Sequence, residues 1–372
     1  MHLVFITKPV ARYCNLNCTY CFYRNDKRDR LEIMSNEVLK TFIREALEFS
    51  PDRCDFIWHG GEPMVAGIDF FKQAIYYQNL IRKNGQIVEN MLQTNGTLIS
   101  KDWIDFFKEN NFSLGISLDG SKIYHDFYRR DKTNRGSFEK VKESINLLKK
   151  EGIGFGVLAV ITKVNKNSIY EILNFFVSLG IKSFAFNYAH EFDSESKMLT
   201  NFSIGPRDYY SILNQLFDSW LNRNDYFLRI RDVDEPLTAI LGKDISSCRY
   251  SGSNMCKSII TIDNKGDIFP CDYFYEEKWK MGNILQSSIK EIFESNKFKH
   301  WIKKINSPWP ECDSCEWYFT CKGGCPWERF FYEKKLGNKD VLCSQRKKFF
   351  SHILNKLEQI TNSKYKELIP HM

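Results

Sequence analysis

The sequence predicts an α/β protein in which parallel strands alternate with helices and a cysteine-rich region follows. Short β-rich runs and amphipathic helical stretches alternate as far as about residue 195. Three of the twelve cysteines stand together near the start, and eight more stand after residue 240. The 372 residues allow one large domain and a smaller one. We expect these domains at 1–235 and 236–372.

The first region is expected to contain six strand–helix units. Six is fewer than the eight units of a complete barrel. Ser35 is the predicted N-cap of the first helix, because Val38 and Leu39 begin its apolar face. The predicted strands are 3–7, 55–59, 89–94, 113–118, 154–161 and 183–187, and the predicted helices are 35–49, 70–83, 101–109, 137–150 and 168–178.

The remaining chain is predicted to have three parts. A connector at 195–235 carries an amphipathic helix at 208–221. A β-rich, cysteine-rich module with a hairpin at 259–269 comes next, and a helix at 344–357 closes the chain.

Composition excludes several classes of protein. The net charge of +7 is mild and its lysines are scattered, which favours solvated helix faces over a nucleic-acid surface. No run of about 18 apolar residues predicts a membrane span, and the first residues do not resemble a signal peptide. We therefore expect a cytoplasmic protein, with no nucleic-acid or membrane partner, whose cysteines bind metal in a reducing compartment.

The first cysteines carry the most informative pattern. Cys14, Cys18 and Cys21 are spaced C-x3-C-x2-C and are followed by Phe22 and Tyr23. A cubane iron–sulfur cluster takes four thiolates, so three without a fourth predict a cluster with one iron open to another ligand. The alternative is a half-formed zinc site or buried free thiols.

The eight later cysteines are the number that two four-cysteine clusters require. The run from Cys312 to Cys325-Pro326 is similar to the bacterial ferredoxin run, in which the cysteine before proline ligates the other cluster. The same crossing would give one set of Cys248, Cys256, Cys271 and Cys325, and another of Cys312, Cys315, Cys321 and Cys343. Two four-cysteine zinc sites are the alternative.

Polar residues follow the predicted strands, at the end where parallel barrels bind ligands. Gly60-Gly61-Glu62-Pro63 combines glycines that permit close backbone approach with a carboxylate that can bind an ammonium. The stretch 93–97 is either a ligand site or polar capping. His59 is expected to be a packed strand-end residue and Cys54 a buried thiol.

The cysteine triplet and Gly60–Pro63 resemble motifs of the radical S-adenosylmethionine enzymes. The resemblance implies an open partial (β/α)6 barrel whose cluster chelates the amino and carboxylate groups of S-adenosylmethionine. It further implies that Gly60, Gly61 and Glu62 hold the amino group. Phe22 and Tyr23 are also expected at the cofactor. Ser117 resembles the family's contact to the carboxylate and ribose, together with Arg129 or, by spacing, Arg130.

The hairpin, Pro270-Cys271 and Gly282-Asn283-Ile284 resemble the SPASM extension of peptide-modifying radical enzymes, which implies the same cysteine partition. From Lys8-Pro9 to Cys343 the chain resembles the anaerobic sulfatase-maturating enzymes. That resemblance implies three [4Fe-4S] clusters and oxidation of a sulfatase cysteine or serine to Cα-formylglycine.

In the implied reaction, the 5′-deoxyadenosyl radical takes a hydrogen from the β-carbon, Asp272 removes the thiol or hydroxyl proton, and an electron leaves through the auxiliary clusters. Tyr23 matches a position near the substrate. A flavodoxin or ferredoxin-type donor is expected as reductant.

Two other functions remain open at the sequence level. Relatives of the same architecture cross-link or form thioethers on ribosomally made peptides. A non-catalytic electron carrier or zinc scaffold is the other alternative, and Gly60-Gly61-Glu62-Pro63 argues against it.

Overall fold

The strands and helices follow the apolar pattern of the sequence. A computed structural model describes residues 2–23, 30–192, 198–225, 227–243, 245, 248–250, 255–306, 309–336 and 340–361. The strands are β1 (His2–Lys8), β2 (Arg53–Trp58), β3 (Ile87–Thr94), β4 (Ser113–Ser117), β5 (Phe155–Ile161), β6 (Ser183–Tyr188), β7 (Arg229–Ile230), β8 (Ile259–Asp263), β9 (Asp267–Phe269) and β10 (Gly282–Asn283).

The helices alternate with the strands up to β6 and dominate after β10. They are α1 (Asn36–Phe49), α2 (Ile68–Ile81), α3 (Lys101–Asn110), α4 (Lys122–Tyr128), α5 (Phe138–Lys150), α6 (Ile169–Ser178), α7 (Pro206–Arg223), α8 (Arg231–Ile240), α9 (Ile289–Glu294), α10 (Asn296–Ile305), α11 (Tyr318–Cys321), α12 (Pro326–Leu336) and α13 (Asp340–Thr361).

The chain forms two compact units, and each is built from separate stretches of sequence. The first unit comprises Met1–Leu118, His125–Val157 and Cys256–Asn306. The second comprises Asp119–Tyr124, Leu158–Met255 and Ser307–Met372. The division of the chain at residue 235 stays a prediction.

In the first unit, β1 lies between β2 and β8 and is parallel to both. The strand order is β10-β9-β8-β1-β2-β3-β4, with β9 and β10 antiparallel to their neighbours. The pairing of Val4 with Ile259 joins residues far apart in sequence. Because β1 to β4 are parallel, their carboxyl ends lie along one edge, where Lys8, Trp58, Thr94 and Ser117 end the strands.

The second unit packs α13 along α7. The Phe349 ring of α13 lies 6.0 Å from the Tyr210 ring of α7, and His352 lies 2.8 Å from the carboxylate of Asp218. The short strand β7 is parallel to β6. No helix in the described ranges is long and apolar enough to cross a membrane.

The six predicted strands are present near their predicted positions. Ser35 caps α1 as predicted, since its hydroxyl accepts the amide of Val38 at 3.2 Å. The predicted hairpin is present as β8 and β9, and α13 contains the predicted closing helix. The stretch between them was predicted to be β-rich, which was wrong, because α9 to α12 follow β10. The sequence contains a pattern that predicts the first of these helices, because Ser288 and Glu291 form a capping box at the start of α9. Pro236 within α8 hid that helix from sequence analysis.

Candidate active site and cluster-binding sites

The loop after β2 is fixed against the segment that precedes Cys14. The amide of Gly61 donates to the Ala11 carbonyl at 2.9 Å, and the amide of Glu62 donates to the Tyr13 carbonyl at 2.8 Å. A Cβ on Gly61 would lie 1.8 Å from the Tyr13 oxygen, so only glycine allows this approach. Gly60 has φ of +119°, which also favours glycine. These glycines therefore position the cysteine loop.

The loop after β3 holds the other side of Cys14. The side chain of Asn95 donates to Asn15 at 2.8 Å, and Asn15 donates to Thr97 at 2.8 Å. The Sγ of Cys14 accepts the Leu16 amide at 3.3 Å and the Asn95 side chain at 3.7 Å. The predicted polar stretch 93–97 thus orients the first thiol of the triplet.

Burial, assisted by Glu62, raises the pKa of Cys14 to about 12. A bound metal must therefore displace a proton from this thiol. Cys18 is buried, whereas Cys14 and Cys21 are partly exposed. Thiols that receive N–H donors and retain partial access fit a cluster that is open on one side.

Glu62 is fully buried and accepts three hydrogen bonds. Oε1 accepts from the Met64 amide at 3.0 Å and the Thr94 hydroxyl at 2.8 Å, and Oε2 accepts from the Asn95 amide at 2.7 Å. Burial raises its pKa to about 7, against the effect of these bonds. A carboxylate offers about four lone-pair sites, so these bonds leave one acceptor position of Oε2 unused.

Ser117 and Arg129 have distinct surroundings. The Gln93 side chain donates to the Ser117 hydroxyl at 3.2 Å, crossing over Gly115, where a Cβ would lie 2.2 Å from the Gln93 oxygen. The buried Arg129 guanidinium lies 5.4 Å from the centre of the Tyr20 ring, within the cysteine loop. Arg130 instead bonds locally to the Asp126 carbonyl. This arrangement favours Arg129 over Arg130, although its ligand contact stays a prediction.

Asp272 lies in a network with Lys8 and Tyr23. The Tyr23 hydroxyl donates to Oδ1 of Asp272 at 2.8 Å. Lys8 forms an ion pair with the same oxygen and a hydrogen bond with Tyr23. The Lys8 side chain has no exposed area, whereas the Asp272 side chain is 16% exposed. Asp272 is therefore partly accessible to solvent, whereas its counter-ion Lys8 is completely buried.

The charge state of Asp272 follows from these neighbours. Burial alone would raise its pKa, but the Lys8 ammonium, His59 and the donated hydrogen bonds hold the pKa below its usual value. Asp272 is therefore ionised at neutral pH, the form that a general base requires.

The aromatic residues near Asp272 differ in exposure. Tyr23 is buried against Tyr275 and Phe269, whereas Phe22 is 55% exposed and stacks with Tyr273 at 6.2 Å. The cofactor contacts predicted for Phe22 and Tyr23 stay predictions. Nδ1 of His59 is buried with no hydrogen-bond partner in the described part of the chain, and the charge of Asp272 acts on this ring.

In the second unit, four thiols line one cavity, and they are the predicted set of Cys312, Cys315, Cys321 and Cys343. Burial, together with the neighbouring thiols, raises the pKa of Cys312 and of Cys343. No group of three or more metal-binding side chains among the described residues is arranged to hold a single metal ion. The cavity and its donor set fit a four-thiolate cluster.

The other predicted set is divided between the two units. Cys256 and Cys271 belong to the first unit, and Cys248 and Cys325 belong to the second. Their joint ligation of a cluster stays a prediction.

Comparison with known proteins decides the family. A profile of the radical SAM superfamily matches residues 9–176, and a SPASM iron–sulfur cluster-binding domain matches residues 254–316. A cysteine-type anaerobic sulfatase-maturating enzyme of Clostridium perfringens is 34% identical, over 97% of this chain and 99% of the relative. The chain belongs to the anaerobic sulfatase-maturating enzymes. The predicted radical SAM enzyme, with its partial (β/α)6 barrel and SPASM domain, is confirmed.

Other members of the family agree. A serine-type anaerobic sulfatase-maturating enzyme of Bacteroides thetaiotaomicron is 30% identical, over 94% of this chain and 89% of the relative. The solved structure of native anSMEcpe with bound AdoMet and Cp18Cys peptide superposes with a TM-score of 0.86 at 34% identity, covering 97% of this chain and 99% of that chain. Streptococcus suis SuiB, at 18% identity and a TM-score of 0.64, shares the fold.

Lys8 is the site residue that sequence analysis missed. It ends a strand whose middle residues, Leu3 to Ile6, are apolar, and it is fully buried. A lysine buried at the end of such a strand requires an acidic partner. Its position in the sequence could therefore have predicted a buried ion pair.

Iron content tests the cluster assignment. Anaerobically reconstituted protein is expected to hold about twelve irons per chain, four for each of three cubanes. Replacing Cys14, Cys18 and Cys21 by alanine should remove about four irons and leave the rest. Iron and zinc analysis measures this. Stoichiometric zinc with no more than about four irons would contradict the two auxiliary clusters.

Proposed function

We propose that this chain oxidises a cysteine or serine of a sulfatase polypeptide to Cα-formylglycine. The observation that carries the proposal is the accessible Asp272 carboxylate, ionised by the sealed Lys8 and held by Tyr23, next to the predicted cluster ligand Cys271. The peptide bound to anSMEcpe supports a polypeptide substrate at the same kind of site.

The residues of the candidate site indicate where the cluster and the cofactor would bind. Cys14, Cys18 and Cys21 would hold the cluster that binds S-adenosylmethionine, whose amino group Glu62 and the Gly60-Gly61 loop would receive. Ser117 and Arg129 would contact the rest of the cofactor. When bound, the reduced cluster and S-adenosylmethionine would supply the radical that removes a hydrogen atom from the substrate β-carbon.

Asp272 would then accept the substrate thiol or hydroxyl proton, and loss of one electron to the auxiliary clusters would leave an aldehyde from serine or a thioaldehyde from cysteine. Water would convert the thioaldehyde to formylglycine, with release of hydrogen sulfide. Its low pKa makes it a weak base toward an unoxidised thiol. Oxidation makes the substrate proton far more acidic, so a weak carboxylate base suffices. Tyr23 and Lys8 fix the orientation of the carboxylate, and both act through Asp272.

The partners follow from the reaction. A flavodoxin or ferredoxin-type protein would supply electrons to the first cluster, and the enzyme would act in the cytoplasm on unfolded sulfatase chains. The charge distribution supports no nucleic-acid role.

Mass spectrometry of a model substrate tests the proposal. Reduced protein is incubated with S-adenosylmethionine and a peptide containing Cys-x-Pro-Ser-Arg, or the same peptide with serine or alanine in place of the cysteine. We expect 5′-deoxyadenosine and an aldehyde that reacts with a hydrazide, from the cysteine or serine peptide only. A cross-linked or thioether product without aldehyde would contradict formylglycine formation.

Glu62→Gln is expected to weaken S-adenosylmethionine binding at least tenfold, because a charge-assisted hydrogen bond contributes about 1.5–3 kcal/mol. The raised pKa of about 7 adds a pH signature, because only the ionised carboxylate makes a charge-assisted bond. The ratio of wild-type to variant affinity should therefore rise between about pH 6 and 8. Loss of the proton from the amino group that binds iron affects both proteins alike and cancels in this ratio.

Thr94→Val is the matched control, since Thr94 bonds to Oε1 and leaves Oε2 unchanged. We expect less than about a threefold loss of affinity, below the effect of a full charge-assisted bond. Equilibrium dialysis of anaerobic protein with intact iron measures both variants. Equal affinity of the wild type and Glu62→Gln rejects the role.

A further inference from the structure

Arg346 is a buried cation, and each of its three side-chain nitrogens donates a hydrogen bond. Nη1 donates to Sγ of Cys321 at 3.3 Å, Nη2 donates to Glu328 at 2.8 Å, and Nε donates to the Tyr210 hydroxyl at 2.9 Å. The arginine is 3% exposed. A guanidinium this deeply buried is costly unless it is fully paired, and the structure pairs it with one of the four cavity thiols.

Two local features of the chain place the Arg346 guanidinium next to the Cys321 thiol. Cys343 and Arg346 are three residues apart on α13, so they face the same side of the helix. Gly324 has φ of +66°, and a Cβ there would lie 1.9 Å from Nη1 of Arg346. The second glycine of Cys321-Lys322-Gly323-Gly324-Cys325 therefore makes room for the guanidinium beside the thiol.

An N–H donor aimed at a cluster thiolate favours the more negative, reduced cluster. Hydrogen bonds to the sulfurs, net charge and solvent exposure set the reduction potential of an iron–sulfur cluster. We propose that Arg346 is a positioning residue that holds Cys321 and raises the reduction potential of the cluster on Cys312, Cys315, Cys321 and Cys343.

The inference rests on the proposed function, in which an electron from the oxidised substrate enters the auxiliary clusters. The step concerned is the uptake of one electron by this cluster, which neither makes nor breaks a bond to the substrate. A raised potential makes the cluster the better acceptor for that electron.

Variants at Glu328 separate two effects of Arg346 on the reduction potential, that of its charge and that of its hydrogen bond to Cys321. Its carboxylate neutralises the Arg346 guanidinium at 2.8 Å, and both side chains are less than a tenth exposed. Glu328→Gln leaves the arginine in place with its charge unbalanced. Arg346→Met with Glu328→Gln removes the donor and leaves the net charge of the pair unchanged.

Potentiometric titration followed by EPR measures the potential in reconstituted full-length protein. Cys14, Cys18 and Cys21 are replaced by alanine to simplify the spectrum, so that the two auxiliary clusters remain. The cluster predicted on Cys248, Cys256, Cys271 and Cys325 then serves as an internal reference in the same sample.

Arg346→Met should lower one potential by about 59 mV or more, a tenfold change in the one-electron equilibrium, and leave the other unchanged. The double variant should also lower that potential, by less, and Glu328→Gln should raise it. Lys347→Met is the control for a donor in contact with solvent: Lys347 also forms a hydrogen bond with a thiol of the set, Cys315, but its partly exposed charge is screened. Its shift should stay below half that of Arg346→Met.

Unchanged potentials in Arg346→Met and in the double variant, with about eight irons retained, would overturn the proposal. If Arg346→Met loses iron because Glu328 is left buried without its counter-ion, the double variant decides. It leaves no unbalanced charge, so its iron should stay and its potential must fall. A wild-type chain without iron on these four thiols would refute the inference, and the peptide assay then judges the proposed function separately.

Discussion

Asp272→Asn is expected to lower formylglycine formation by about 10²–10⁴-fold, the usual cost of a lost general base, while 5′-deoxyadenosine still forms. Asparagine keeps the shape of the side chain but cannot accept the substrate proton. The two products are quantified by chromatography and mass spectrometry in one reaction. Formation of product at near the wild-type rate would place the base elsewhere.

The same substitution leaves the Lys8 ammonium buried without its counter-ion. Breaking a fully buried ion pair costs about 3–5 kcal/mol, and the cost here is smaller because Asp272 is 16% exposed. The double variant Lys8→Met with Asp272→Asn removes both charges, so it should regain stability in a melting experiment. It should not regain product formation, which separates the role of Asp272 as a base from its structural role.

Gly61→Ala is expected to abolish the first cluster and with it all cleavage of S-adenosylmethionine. The new Cβ would lie 1.8 Å from the Tyr13 carbonyl oxygen, so the segment before Cys14 must move. About four irons per chain should be lost and about eight retained, as judged by iron analysis and EPR.

Gly154→Ala is the matched control for that substitution, because a Cβ on Gly154 meets no atom within 4 Å. It should retain all three clusters and full activity. Gly61→Ala protein with about twelve irons and normal cofactor cleavage would show that the contact with Tyr13 does not position Cys14.

The sequence predicted those parts of the site that depend on local spacing. Cys14, Cys18 and Cys21 share one loop, and Glu62 follows a strand whose carboxyl end lies beside that of β1. Parallel strands bring such ends to one edge of a sheet. The order of strands and helices along the chain is therefore enough to place the polar residues of the first four strand ends near one another.

Contacts across long stretches of chain could not be predicted in this way. Tyr23 and Asp272 are 249 residues apart, and they meet because β8 pairs with β1. The short apolar run of β8 matches many possible partners, so its pattern does not specify β1. The contact of Arg346 with Cys321 depends in the same way on how α13 packs, which periodicity alone does not determine.

The pairing of β8 with β1 has a consequence for synthesis on the ribosome. Val4 is translated about 255 residues before its partner Ile259, a delay on the order of tens of seconds at typical elongation rates. Throughout that interval one side of β1 lacks its final partner, and an apolar strand with an open edge promotes aggregation. Nascent chains shorter than about 260 residues should therefore depend on chaperones, and overexpression should favour inclusion bodies when translation outpaces their supply.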